Sequence, residues 1–241
     1  VSDGDAFAVG LACGGTIRVL VEPVGAVMPQ DLLEDLVAAR SAREPVAYVV
    51  DLDAQSRRLD RDGHAERFRM DRSGFEPDSR SFVAVHNPPL RLIVVGAVHI
   101  AQALLPMARI AGYDPVVVDP RETFGSAARF PGERILHDWP DEAVQQIGLD
   151  GRTALVLLTH DPKLDDPALE QALRSGCFYI GALGSTRTHA KRVDRLTALG
   201  FSDSEIACIH GPIGLDIGAS GPSEIAVSIM AQMTQVLRRG A

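Results

Sequence analysis

The segment 91–121 most constrains what this chain can fold into. It begins with a short apolar run, 92–95, that ends at Gly96, and such runs are typical of strands buried on both faces of a sheet. Apolar residues then recur at helical spacing as far as Ala111, and a second apolar run ends at Asp119. Strand, glycine turn, helix, strand and acid form the first half of a dinucleotide-binding unit, so the pattern predicts a Rossmann-like fold.

The glycine pattern of this unit is incomplete. In G-x-G-x-x-G/A, Gly96 and Ala101 fill the first and third positions, but Val98 stands at the second, where a side chain obstructs the approach of a pyrophosphate. Asp119 lies 23 residues after Gly96, close to the separation of roughly 20 expected for a carboxylate that binds the ribose of NAD. Arg121 would instead accommodate a 2′-phosphate, so NAD and NADP both stay candidate cofactors.

The composition is that of an ordinary acidic globular protein. The 241 residues carry 24 Lys and Arg against 32 Asp and Glu, and this net charge of −8 argues against nucleic-acid or membrane binding as the main activity. No apolar run reaches the roughly 18 residues of a membrane span. The three cysteines (Cys13, Cys177, Cys208) show no metal-binding spacing and are typical of a reducing compartment.

Residues 1–89 are expected to form a small N-terminal α+β domain. The spacing of apolar residues predicts three strands and one helix there: strands 17–21, 45–52 and 81–86, and a helix over 29–42. Asp62-Gly63 is a hairpin signal inside a polar segment. Pro88-Pro89 ends the last strand and predicts the boundary to a second domain, 90–241.

The second domain alternates between strand and helix patterns, as a doubly wound parallel sheet requires. The predicted strands are 92–95, 115–119, 134–136, 154–158, 177–180 and 207–209. The predicted helices are 98–111, 139–147, 165–175, 186–199 and 222–238. Ser202 and Glu205 have the spacing of a capping box, and Pro222 fits the first position of the last helix.

Three loops that follow predicted strands carry groups able to act on a ligand, because open α/β sheets bind ligands beyond the carboxyl ends of their strands. His160, in Thr-His-Asp, is either a base or ligand-holding group, or a histidine that satisfies loop carbonyls. The segment 181–188 is typical of an anion site at a helix start, or of a plain connection with capping hydroxyls. The apolar, glycine-rich loop 210–219 is either a binding surface built from backbone or a tightly packed crossing.

Motifs along most of the chain resemble one family, the XdhC/CoxI proteins, which are accessory factors of molybdenum hydroxylases such as xanthine dehydrogenase. The motifs are Gly10–Gly15 with Val21–Pro23; Val94–Ala97 with Val118–Arg121 and Arg129–Pro131; Thr159–Asp161; Tyr179–Thr188; and His210–Ala219 with Pro222–Ala226. The last of these motifs is long and specific, so the chain is identified as a member of this family.

The resemblance implies a cytoplasmic, homodimeric helper that binds the molybdenum cofactor, keeps it sulfurated and passes it to an apo-hydroxylase, without turnover of its own. It leaves open whether a separate cysteine desulfurase adds the sulfur. Together with the loops above, it implies these cofactor-binding residues: Cys13, Gly14, Gly15, Gly96, His99, Asp119, Arg121, His160, Gly184, Ser185, Arg187, Thr188, His210, Gly214, Asp216 and Gly218. As a soft thiolate, Cys13 is the expected contact to molybdenum.

Three departures from the family pattern qualify this expectation. The family usually has a further N-terminal segment before Cys13, so the N-terminal domain is expected to be truncated. Glycine is usual where Val98 stands, and threonine where Gly221 stands. Two alternatives on the same fold stay open: an NAD(P)-dependent oxidoreductase, for which no Tyr-x-x-x-Lys pair is visible, and a nucleotide-sensing module.

Overall fold

The computed structural model describes residues 19–240, and their strands form two separate sheets. The strands of the first sheet are β1 (Val46–Asp51), β2 (Ser56–Asp60), β3 (Gly74–Phe75) and β4 (Ser81–His86). They pair antiparallel in the order β2-β1-β4-β3. Helix α1 (Gln30–Ser41) buries Leu36 and Ala39 against one face of this sheet, and a short helix, α2 (Ala65–Met70), follows β2 in the chain.

The second sheet is parallel and has the strand order of a Rossmann fold. Its strands are β5 (Leu90–Val95), β6 (Tyr113–Val118), β7 (Arg134–Leu136), β8 (Thr153–Leu157), β9 (Tyr179–Ala182) and β10 (Ile209–His210). The helices that alternate with them are α3 (His99–Ile110), α4 (Pro140–Ile147), α5 (Pro162–Leu173), α6 (Thr186–Ala198), α7 (Asp203–Ile206) and α8 (Pro222–Arg239). The order β10-β9-β8-β5-β6-β7 confirms the predicted doubly wound α/β architecture with a smaller α+β part.

Helices cover both faces of the parallel sheet, which explains why its strands read as continuous apolar runs. Along β5, Leu92 and Val94 pack on the side of α3 and α8, whereas Ile93 and Val95 pack on the side of α4, α5 and α6. All four side chains are fully buried. Because successive strand residues point to opposite faces, a strand between two helical layers must be apolar at every position.

Ion pairs join the two sheets across the segment that links them. The guanidinium of Arg152 is buried, donates to the carbonyl of Pro88 at 3.1 Å and pairs with Asp71 at 2.9 Å. Arg238, near the end of α8, pairs with the same carboxylate at 2.8 Å. The change from the antiparallel to the parallel sheet supports the domain division at 89/90, which stays a prediction.

The predicted strand 17–21 is wrong within its described residues, 19–21, which lie outside both sheets. The carboxylate of the next residue, Glu22, accepts hydrogen bonds from Tyr48 at 2.7 Å and from Arg57 at 2.9 Å. These contacts hold the segment on the face of the antiparallel sheet, where Leu20 packs on the core, and not at its edge.

The predicted hairpin at Asp62-Gly63 is also wrong. The chain turns between β1 and β2 at residues 52–55, where the Asp51 carboxylate accepts from the N–H groups of Asp53 and Ala54. Asp62-Gly63 leads instead from β2 into α2. The Asx-type turn at Asp51 explains this, since it satisfies two backbone donors of the tighter reversal.

Two predicted strands are displaced. β9 begins at Tyr179, after Cys177, and β10 contains only Ile209 and His210. The capping box at Ser202 is confirmed, and the turn that it starts continues through residue 208, so Cys208 is exposed and lies before β10 and not in the predicted strand 207–209. Among residues 19–240, no helix is long and apolar enough to cross a membrane.

Candidate functional site

The predicted site residues that the structure describes lie along one edge of the parallel sheet. All six strands of this sheet run in the same direction, so the turns that follow them share the carboxyl edge. The turns after β5, β6, β8, β9 and β10 contain or adjoin Gly96, Asp119, His160, Gly184 and His210, respectively. The chain order reverses between β5 and β8, which is the usual position of a ligand crevice.

At Gly96, the turn after β5 approaches the turn after β8 closely. Its φ angle is +109°, and a Cβ atom there would lie 2.8 Å from the Cγ2 atom of Thr159, the second residue after β8. Glycine is therefore required both by the turn and by the close approach of two loops. Val98 is half-buried against the core beside α3, and its N–H donates to the Gly96 carbonyl at 3.0 Å. His99 is exposed at the first residue of α3.

Asp119 is fully buried and has protein donors on both carboxylate oxygens. Oδ1 accepts from the N–H and the Nε–H of Arg121 at 3.0 and 2.8 Å. Oδ2 accepts from the Ala97 N–H and from Nη2 of Arg121, both at 2.8 Å. Burial alone would raise the pKa of Asp119, but the hydrogen bonds from Arg121 and Ala97 hold that pKa below its ordinary value. The carboxylate thus ties the β6 loop to the β5 turn.

The loop after β6 lies over the turn after β5. Nη1 of Arg129 donates to the carbonyls of Ala97 and Phe124, at 2.9 and 2.6 Å. The guanidinium of Arg121 stacks on the Phe124 ring at 4.0 Å from its centroid. The acid expected to bind a ribose is thus already paired with protein donors, so the geometry lends no support to NAD(P) binding.

The loop after β10 and the turn after β9 enclose the larger of two cavities at this edge, here called the glycine-loop cavity. Its volume is about 580 Å³, and its lining residues are Leu183, Gly184, Thr186, Pro212, Ile213, Gly214, Leu215, Asp216, Ile217, Gly218, Ala219, Ile225 and Ser228. Of the residues expected to bind cofactor, Gly184, Gly214, Asp216 and Gly218 meet here.

Hydrogen bonds to α8 and β9 hold the glycine loop in place. The Gly214 N–H donates to Oε1 of Gln232 at 2.8 Å, and the Ser228 hydroxyl donates to the Leu215 carbonyl at 2.5 Å. Gly214 has a φ angle of +91°, and a Cβ atom at this position would collide with the Ser228 hydroxyl. Farther along the loop, the N–H groups of residues 216–219 have no hydrogen-bond acceptor among the described residues.

His210 contributes to the packing beneath the loop. Its ring stacks on Tyr179, with centroids 4.8 Å apart and planes 10° from parallel, and burial lowers its pKa. The Tyr179 hydroxyl donates to Gln232 at 2.6 Å, so the same amide oxygen holds both the tyrosine and the glycine loop. Sequence reasoning missed Gln232 because no motif distinguishes it from other polar residues on a helix.

A second cavity lies between the first turns of α5 and α6 and is here called the interhelix cavity. Its volume is about 230 Å³, and its lining residues are His160, Pro162, Asp165, Arg187, Thr188, Lys191, Arg192 and Arg195. The expected residues His160, Arg187 and Thr188 lie here, whereas Ser185 accepts from the Thr188 N–H at 3.2 Å and caps α6. Asp161 similarly caps α5 by accepting from the Lys163 N–H at 3.0 Å.

Asp165 and Arg192 are the buried charged residues of this cavity, and neither is among the residues expected to bind the cofactor. Their side chains are each 2% exposed, and Nη2 of Arg192 lies 3.9 Å from Oδ2 of Asp165. Both residues lie in helices in which charged and apolar residues alternate, as they do in ordinary surface helices. This sequence pattern therefore does not reveal that the two side chains are buried. Cys13, Gly14 and Gly15 lie outside the described residues.

Comparisons with known proteins agree with this architecture. Residues 92–233 match the family described as the XdhC Rossmann domain. The chain is 31% identical over 230 residues to the molybdenum cofactor insertion chaperone PaoD of Escherichia coli K12, covering 95% of this chain and 62% of PaoD. It is 30% identical over 168 residues to a Bacillus subtilis 168 protein named as a probable component of xanthine dehydrogenase, covering 69% of this chain and 49% of that protein.

A solved structure shows the same fold. The crystal structure of a Bacillus halodurans protein described as a xanthine dehydrogenase superposes with a TM-score of 0.64 at 25% identity, covering 90% of this chain and 66% of that one. The chain therefore spans less than two thirds of the length of each of these relatives. Because the Rossmann-domain match extends over more than half of its residues, this chain belongs to the XdhC family.

Proposed function

We propose that this protein binds the molybdenum cofactor and assists its insertion into a hydroxylase of the xanthine dehydrogenase type. The observation that carries the proposal is the glycine-loop cavity, where Gly184, Gly214, Asp216 and Gly218 converge. The relative named a molybdenum cofactor insertion chaperone aligns with 95% of this chain, so the alignment includes that loop.

The glycine-loop cavity fits a pterin. Its volume of about 580 Å³ lies within the range of about 300–1,000 Å³ typical of small-molecule sites. The unpaired N–H groups of residues 216–219 can donate to the acceptors at the edge of a pterin ring, and Ile217, 54% exposed, offers an apolar contact for its face. Bound there, the cofactor would supply the molybdenum centre, and the protein would supply hydrogen bonds and shelter from water.

We also propose that Cys13 contacts the molybdenum or its sulfido group, since a thiolate is a soft ligand. The family motif that contains Cys13 and the softness of a thiolate support this proposal. Among residues 19–240, no three His, Cys, Asp or Glu side chains are grouped so that they could hold a metal ion.

The further proposals concern the partners. The protein carries the cofactor in its sulfurated form and passes it to an apo-hydroxylase in the cytoplasm, and it acts as a homodimer. The resemblance to the family supports these statements. A cysteine desulfurase is a candidate sulfur donor, which the resemblance leaves open. An NAD(P)-dependent activity is not proposed, because protein donors occupy Asp119.

The test is the amount of pterin that the purified chain retains. The protein is incubated anaerobically with released molybdenum cofactor and desalted; the pterin is then oxidised and its fluorescence is measured per chain. We expect retention near one pterin per chain for the wild type, and retention near zero would contradict the proposal.

Two pairs of variants locate the binding surface. Ile217→Asp places a carboxylate in the glycine-loop cavity and is expected to lose most of the pterin, because the cofactor is anionic. Ile110→Asp is its control, since Ile110 is 89% exposed at the end of α3 and lies at the opposite edge of the sheet. Cys13→Ser is expected to weaken retention and Cys208→Ser is not. Equal retention within either pair would refute the corresponding assignment.

A further inference from the structure

We propose that the interhelix cavity is a binding site for the phosphate group of a phosphate monoester. The cavity is distinct from the glycine-loop cavity and shares no lining residue with it, although both border the first turn of α6. Its volume of about 230 Å³ is below the range of about 300–1,000 Å³ typical of sites that enclose a whole ligand. It therefore suits the phosphate end of a larger molecule.

Positive charge dominates the cavity wall that α6 provides. Arg187 and Lys191 are exposed and form no ion pair with any described residue. Arg195 is neutralised by Asp166, at 2.5 Å, and Arg192 faces Asp165 at 3.9 Å, which leaves Arg187 and Lys191 as the cations of this wall without a carboxylate partner. Two such cations one turn apart on a helix attract a dianion.

Arg192 has a buried donor that lacks a partner. Its Nη2 donates to the Leu183 carbonyl at 3.1 Å, and its Nη1 lies 3.5 Å from Nδ1 of His189. Its Nε is buried with no hydrogen-bond acceptor. A guanidinium carries five N–H donors, and leaving one of them buried and unpaired is costly unless a ligand supplies the acceptor.

Asp165 presents a second unpartnered atom from the opposite helix, α5. Its Oδ1 accepts from the Thr159 hydroxyl at 2.5 Å, whereas Oδ2 is buried without a hydrogen-bond partner. Burial raises the pKa of Asp165, although Thr159 and Arg192 act in the opposite direction. The Asp165 Oδ2 atom and the Arg192 Nε atom are thus the two buried, unpartnered polar atoms of this cavity.

The start of α6 adds backbone donors. Ser185 caps the helix by accepting from the Thr188 N–H, whereas the N–H group of Arg187, which lines this cavity, has no acceptor among the described residues. A helix start with a free N–H group favours an anion through both hydrogen bonding and the helix dipole. The side-chain cations, Arg192 and the start of α6 thus border one small space.

Calorimetric titration of the full chain tests the site. The probes are inorganic phosphate and glycerol phosphate, added at constant ionic strength in chloride. The variant is the double change Arg187→Ala with Lys191→Ala. Its matched control is Arg134→Ala with Arg239→Ala, which removes the same charge from two exposed positions outside the cavity.

We expect phosphate to bind the wild type and the control with equal affinity, and to bind the Arg187/Lys191 variant at least about tenfold more weakly. No binding to the wild type would overturn the proposal. Equal affinity of the Arg187/Lys191 variant and the control would overturn it as well, because the attraction would then come from net charge alone.

Pterin retention by the same variants identifies the source of the phosphate. If the Arg187/Lys191 variant loses pterin as well as phosphate, the ligand is the phosphate of the cofactor, and this assignment rests on the proposed function. If it loses phosphate binding but retains pterin, the ligand is a separate phosphorylated molecule. If no form of the protein retains pterin while the wild type binds phosphate, the proposed function fails and the phosphate site stands.

Discussion

Replacing Asp119 by asparagine measures how much this carboxylate contributes to the stability of the fold. If Asp119 ties the β6 loop to the β5 turn, the substitution must cost stability even without any ligand. A carboxylate reserved for a ribose would instead be nearly neutral for folding. The side chain is fully buried, and its two oxygens accept four hydrogen bonds, two of them from the Arg121 guanidinium.

The expected magnitude follows from these four bonds. Asparagine keeps one acceptor oxygen, so it loses the two bonds on the other, and its NH₂ group faces donors there. A hydrogen bond to a charged group contributes about 1.5–3 kcal/mol. The Arg121 side chain is 36% exposed, so its freed donors can reach water. We therefore expect Asp119→Asn to lower the free energy of unfolding by about 3 kcal/mol.

Urea unfolding at pH 7, followed by circular dichroism, measures this loss. Asp194→Asn is the matched control, because Asp194 is exposed on α6, and it should stay within about 0.5 kcal/mol of the wild type. A loss below about 1 kcal/mol for Asp119→Asn would refute the structural role of this carboxylate.

The pH dependence gives a second, independent check. The pKa of Asp119 is lowered from 3.8 in the folded protein, so its contribution to stability is complete above that value and is lost as the pH falls through the folded pKa. The difference between wild type and Asp119→Asn should therefore narrow below pH 3.8. A difference that widens on acidification would contradict the reasoning.

Three further predictions use the same unfolding assay. Gly214→Ala should lower the free energy of unfolding by about 2–3 kcal/mol, because the added Cβ atom collides with the Ser228 hydroxyl at positive φ. Gly218→Ala, with open space around it, should lower it by about 1 kcal/mol, and equal losses would argue against the collision. Arg152→Ala, which removes the buried guanidinium that links the sheets, should lower the free energy of unfolding by about 3 kcal/mol. Arg58→Ala, at an exposed position, should lower it by at most about 1 kcal/mol. An unchanged free energy of unfolding for Arg152→Ala would refute the link between the sheets. Leu104→Ala, at a fully buried position, should lower the free energy of unfolding by about 2–5 kcal/mol. A smaller loss would mean that the core collapses into the cavity left by the leucine side chain.

Much of the parallel sheet was predictable because its signals are local. The apolar run 92–95 and the helical spacing after it lie within β5 and α3, and the Ser202 capping box needs only neighbouring residues. The prediction of a hairpin at Asp62-Gly63 was wrong because it rested on a local signal alone. The chain reverses earlier, at the Asp51 turn. Local patterns cannot rank two competing turns.

The site itself was only partly accessible to sequence reasoning. The carboxyl edge followed from the alternation of strands and helices, and the structure places Gly184, Gly214 and Gly218 around one cavity at this edge. The division of this edge into two cavities could not be predicted, because it depends on how α5, α6 and α8 pack.

The Rossmann architecture and the family could be predicted from the sequence, since both depend on periodicity and on motifs along the chain. The roles of individual charged groups could not, because they depend on how the chain folds. Asp119 follows a strand as a ribose-binding acid would, yet its partners turn it into a structural link. Asp165 and Arg192 look like surface residues in the sequence, yet they face each other in a buried cavity. The bond between Ala97 and Asp119 and the pairing of Asp165 with Arg192 join segments that are distant in the chain, so no local pattern contains them.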